Sequence, residues 1–136
     1  MMYLLDTNAC VHHLKFADSP VTQQLLTHLP ETAICSVTKA ELFYGAMRSN
    51  NPTKAIRQQQ EFLELFVSLS FDDEAAHICG RIRAQLSSQG TPIGPYDLQI
   101  AAIALAHDLT LITHNVREFN RVQDLKIEDW QSNQQV

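Results

Sequence analysis

Short apolar runs alternate with helix-patterned stretches along this chain, and that alternation most narrows what it can fold into. Residues 3–5, 33–35, 67–71 and 109–113 read as buried strands, with a weaker one at 125–127. Between them, Ser19 with Pro20 and Asn51 with Pro52 each pair a cap with a first-turn proline, the second ahead of a helix over 55–66. Asp72 caps a segment in which Ala75, Ile78, Cys79, Ile82 and Leu86 keep helical period, and Gly90 can end it. Residues 98–106 are apolar on nearly every side, which predicts a buried helix. Strand and helix in repetition imply an α/β fold. A length of 136 residues suffices for one core and not for two ordinary domains, so a single domain over 1–136 is expected.

Composition removes several function classes. No apolar stretch approaches the roughly 20 residues that span a bilayer, and the opening residues lack a charged n-region and a cleavage site. A cytoplasmic protein without a membrane role is expected. Cys10, Cys35 and Cys79 are odd in number and lack C-x-x-C spacing, so they read as buried thiols rather than as a disulfide framework or a zinc site. His12 and His13 are adjacent and diverge on a helix, while His77 and Cys79 lack partners at zinc spacing. The net charge of -5 argues against gripping nucleic acid over the whole surface and leaves room for a local groove.

The acids carry the functional signal. Asp6 ends the first apolar run, in the position where open α/β sheets bind ligands. Asp97 stands at the start of the buried helix, just after "PIGP". Taken singly, each reads as a helix cap. Glu41 is harder to dismiss, because its helical neighbours Val37, Thr38, Tyr44 and Gly45 are apolar or small and no local cation pairs with it. Glu118 follows the late strand by about one turn and could instead pair with Arg117 or Arg121 at the surface. Together these residues fall at one edge of the expected sheet. Two carboxylates about 4 Å apart repel by roughly 4 kcal/mol at an effective dielectric of 20, so a cluster needs shared protons or a bound cation. All-oxygen donors suit Mg²⁺ or Mn²⁺ rather than zinc.

Four stretches in order, "LLDTN", "TKAELFYGA", "IGPYDLQIAAIA" and "LITHNVREF" followed by "IEDW", resemble the PIN-domain ribonucleases, specifically the VapC-type toxins of bacterial toxin–antitoxin pairs. The resemblance spans essentially the whole chain. It implies a three-layer α/β/α fold around a mainly parallel sheet of four to five strands, and RNA cleavage with Mg²⁺ or Mn²⁺ held by acids. By position, Asp6, Glu41 and Asp97 match the family's first three acids. Where many PIN domains carry a fourth aspartate this chain has His114 and Asn115, which leaves Glu118 as the substitute.

On this reading Asp6 and Asp97 are the principal metal ligands, and Glu41 ligates through water or orients the attacking water. Thr7 and Asn115 are expected to hold water or a phosphate oxygen, with His114 beside them. Lys39, Arg117 and Arg121 are candidates for the RNA backbone. The resemblance further implies a structured RNA target such as tRNA, a cognate antitoxin that reaches the acids with a basic residue, contact with DNA only through that antitoxin, and a homodimer. For the dimer surface, "LFYGAM", Phe62 and Phe66 are candidates. Two other readings are a catalytically silent PIN-like module acting through its antitoxin, and a phosphotransferase. The second is disfavoured because Asn8 stands where a D-x-D pair needs its second aspartate.

Overall fold

The computed structural model describes residues 1–132. Five strands, β1 (Tyr3–Leu5), β2 (Thr32–Cys35), β3 (Val67–Leu69), β4 (Thr110–Ile112) and β5 (Ile127–Glu128), form one sheet in the order β3-β2-β1-β4-β5. Every pairing is parallel, so each connection must cross over, and helices supply the crossovers. They are α1 (Thr7–Lys15), α2 (Pro20–Thr27), α3 (Ser36–Met47), α4 (Pro52–Leu63), α5 (Asp73–Ser88), α6 (Pro95–Ala106) and the short α7 (Val116–Phe119). The expected strands are all present with shifted ends: β3 stops at Leu69 rather than 71, and β5 lies two residues later than its apolar run suggested.

Side chains on a strand alternate between faces, and here the alternation divides the core in two. Leu4, Ala33, Cys35 and Leu111 pack with α5 and α6, while Tyr3, Leu5, Ile34 and Ile112 pack with residues of α1, α2, α3 and α4. The result is the α/β/α sandwich. Helix α6, buried at Leu98 and from Ile100 to Ala104, is apolar all round because it fills the layer between the sheet and α5. Phe62 and Phe66 are core residues, so they form no dimer surface, whereas Tyr44 and Met47 are exposed. Cys10 and Cys35 are buried as expected. Cys79 departs from expectation and is only partly covered.

Local signals set the helix ends. Ser19, Asn51 and Asp72 each accept the backbone N–H three residues on, which satisfies a donor the helix cannot satisfy itself. Gly90 takes φ 71° just beyond α5, a conformation that only glycine adopts cheaply. Replacing the buried cap Ser19 by Ala is expected to cost about 1 kcal/mol, read as a lower urea midpoint with an unchanged m-value. Among the described residues no helix is long and apolar enough to cross a membrane.

Candidate active site

Parallel strands all present their carboxyl ends to one edge, and the acids gather there. Asp6 follows β1 directly, is 3% exposed, and caps α1 by accepting the Ala9 N–H at 2.8 Å. The register places Leu5 opposite Ile112, so Thr113 comes beside Asp6 and its hydroxyl hydrogen-bonds the carboxylate. Asp6 is therefore both a cap and a site residue. Burial pushes its pKa up to about 6, with Glu41 and Asp129 adding to the rise and the Thr113 and Ala9 hydrogen bonds opposing it.

Glu41 lies in the second turn of α3, half-exposed, and accepts the Thr7 hydroxyl at 2.6 Å. Thr7 also lies 3.2 Å from the Thr38 hydroxyl. Asp97 occupies the first turn of α6, where Gly94 is the N-cap and no side chain caps the helix. Its carboxyl faces other acids instead. Burial first, then a hydrogen bond with Glu118 and the charges of Glu118, Asp6 and Glu41 push its pKa up to about 7. Glu118 moves the other way. Burial pulls it upward, but hydrogen bonds from Asn115, Asp97 and the Gly94 N–H, together with Arg121, hold it below its ordinary value. The Asn115 amide donates at 3.0 Å and the Gly94 N–H at 3.3 Å. The two acids titrate together, with Asp97 raised and Glu118 lowered.

All four expected acids reach one site, and Glu118 sides with Asp97 rather than forming a surface pair with Arg117 or Arg121. Thr7 and Asn115 differ from their expected part, since their donors go to Glu41 and Glu118 and so position acids. His114 is exposed, with Nδ1 3.0 Å from Asp129 Oδ2. Lys39 is half-buried and Arg117 exposed, while Arg121 donates to the Pro92 carbonyl at 3.1 Å. Sequence reasoning brings Thr113 to this edge at the end of the late strand without giving it a role, and it missed Asp129. The signal for Asp129 was available, because "IEDW" ends the last strand just as "LLD" ends the first.

The donor set is all oxygen, and burial together with neighbouring acids raises the pKa of Asp6 and Asp97, as expected of a site short of positive charge. Among the described residues no group of three or more His, Cys, Asp or Glu is drawn together as a ready-made metal cage. Carboxylate oxygens are the donor type that a hard ion such as Mg²⁺ takes, in ones or twos beside waters and substrate phosphates. The four acids offer none of the thiolate or imidazole donors that zinc prefers.

A PIN domain family model matches residues 3–125. The chain is 36% identical to the tRNA(fMet)-specific endonuclease VapC of Salmonella typhimurium over 130 residues, covering 96% of this chain and 98% of that protein. It is 38% identical to the protein of the same name from Shigella flexneri, at the same coverage. The fold matches a chain of the DNA-bound VapBC structure from Salmonella typhimurium with TM-score 0.92 and 36% identity, covering 96% of this chain and 98% of that one. It matches VapBC2 from Rickettsia felis bound to a promoter DNA fragment with TM-score 0.89 and 32% identity, covering 96% and 99%. With a family match over most of its length and relatives aligned nearly end to end, the chain belongs to the PIN domain family as a VapC-type member.

Proposed function

We propose that this chain is a Mg²⁺- or Mn²⁺-dependent endoribonuclease, the toxin of a toxin–antitoxin pair, that cleaves structured RNA, with tRNA as its substrate, in the cytoplasm. The observation that carries the reading is the convergence of Asp6, Glu41, Asp97 and Glu118 at the carboxyl edge of the sheet, where burial first and then the neighbouring acids raise the pKa of Asp6 and Asp97. The relatives named tRNA(fMet)-specific endonuclease support the choice of substrate.

Asp6 and Asp97 would hold the ion, with Glu41 reaching it directly or through water. When bound, such an ion offsets the charge that builds on the phosphate in hydrolysis. The chain's own groups do the rest. Thr7 fixes the Glu41 carboxylate through Oε1 and leaves the other oxygen to orient a water. Asn115 and the Gly94 N–H keep Glu118 ionised beside Asp97, so that Asp97 can pass its proton on when a cation or substrate arrives. Thr113 and the Ala9 N–H hold Asp6 in one orientation.

The neighbours solved as VapBC complexes, two of them on DNA, support a cognate antitoxin as partner, with DNA reached through it. An antitoxin arginine among these acids would supply the positive charge that the site lacks. A homodimer is part of the same proposal.

The test is cleavage of total RNA and purified tRNA by the antitoxin-free protein, with Mg²⁺ or Mn²⁺ and with chelator, beside Asp97→Asn. Discrete fragments that vanish with chelator and fall at least 100-fold in the variant are expected. Folded, metal-replete protein that cuts no RNA would leave the silent binding module as the reading.

A further inference from the structure

We propose that the groove between α1 and the turns that follow β4 and β5 binds single-stranded RNA beside the acids, with Lys15 on a phosphate and Phe16 stacked on a base. This inference rests on the ribonuclease reading and names part of its substrate path. The groove has a volume of about 470 Å³ and is lined by Val11, His12, Lys15, Phe16, His114 and Asn115 among others. Asn115, whose amide holds Glu118, lines the groove and so joins it to the carboxylate site.

Its chemistry is that of a strand-binding surface. Lys15 is exposed, and among the described residues it has no carboxylate within ion-pair distance. In a chain of net charge -5, an exposed cation in a groove next to an acidic site offers a local contact for a phosphate. Phe16 is 56% exposed and contacts the His12 ring at a centroid distance of 4.9 Å, forming an aromatic platform in solvent. On the opposite wall Asp129 fixes the His114 ring through Nδ1 at 3.0 Å. Proteins that bind single strands combine a cation on the backbone with aromatic rings on which bases stack. Lys39, Arg117 and Arg121 do not line this groove.

The experiment uses the full chain carrying Asp97→Asn, so that RNA stays intact, and a fluorescein-labelled 12-nucleotide single-stranded RNA of mixed sequence. Anisotropy titrations run from 50 to 200 mM NaCl. Lys15→Gln is expected to weaken binding and reduce the salt slope by about 0.7, the value of one phosphate contact on a single strand. Phe16→Ala is expected to weaken binding about tenfold with the slope unchanged, and Phe16→Trp to restore it. Lys54→Gln, on exposed α4, should change neither quantity, and matching thermal melts show that each variant folds. Unchanged affinity and slope in Lys15→Gln and Phe16→Ala, while the parent binds RNA, would overturn the inference and leave the ribonuclease reading standing. The same holds if these variants lose only binding of an antitoxin peptide. A wild type that neither binds nor cuts RNA removes that reading and the inference with it.

Discussion

Asp6→Asn is expected to lower RNA cleavage sharply and at the same time to make the metal-free protein more stable at neutral pH. The loss follows from the position of Asp6 as the most buried acid of the site, and at least 100-fold is expected. The gain follows from its raised pKa. In the unfolded chain Asp6 titrates near 3.8, and in the folded chain at about 6. Between these values the folded state holds its proton more tightly than the unfolded state does. The penalty for burying the ionised carboxyl is therefore absent below pH 4, grows as pH rises, and is complete above pH 6. A shift of about two units corresponds to about 3 kcal/mol. Asparagine keeps an oxygen for the Ala9 N–H and carries no charge. In EDTA, urea denaturation should show the variant ahead of wild type by about that amount at pH 7.5, with the gap closing at pH 4. Mn²⁺ should stabilise wild type at pH 7.5 and not the variant. A gap that does not shrink with acid would contradict the assignment of the penalty to Asp6.

Phe119→Ala is expected to cost about 3–5 kcal/mol and to lower cleavage along with stability. Helix α7 has four residues, too few to hold its shape unaided. Phe119, 1% exposed, anchors it to the core on the side of α5 and α6. Asn115 and Glu118 stand on that anchor. Removing the ring leaves a cavity and frees the residues that bear on the titration of Asp97. Phe119→Leu, which keeps most of the volume, should recover most of both properties. A cost under 1 kcal/mol for the alanine variant, measured in urea, would show that α7 is held by something else.

The strands and helix caps were legible in the sequence because they are local: a short apolar run, a serine before a proline, an aspartate three residues before its amide. The acids were legible as well, since each follows a strand or opens a helix, and a parallel sheet sends all such positions to one edge. The division of labour among polar residues was not. Thr7 and Asn115 looked like groups for water or phosphate, and each hydrogen-bonds a carboxylate, for Thr7 one far off in the sequence and for Asn115 one a turn away. The exposure of Cys79 and the burial of Phe62 and Phe66 also depend on what packs against each helix, which periodicity alone does not state.

The amino-acid sequence by itself determined the alternation of strand and helix, the apolar character of α6 and the set of acids, because propensity, period and capping act over a few residues. The tertiary structure alone decided the strand order that puts Thr113 beside Asp6, the joint titration of Asp97 and Glu118, and the opening of a groove at Lys15 and Phe16. Those depend on approach between residues far apart in the chain, and electrostatic coupling and burial exist only once the packed fold has brought them together.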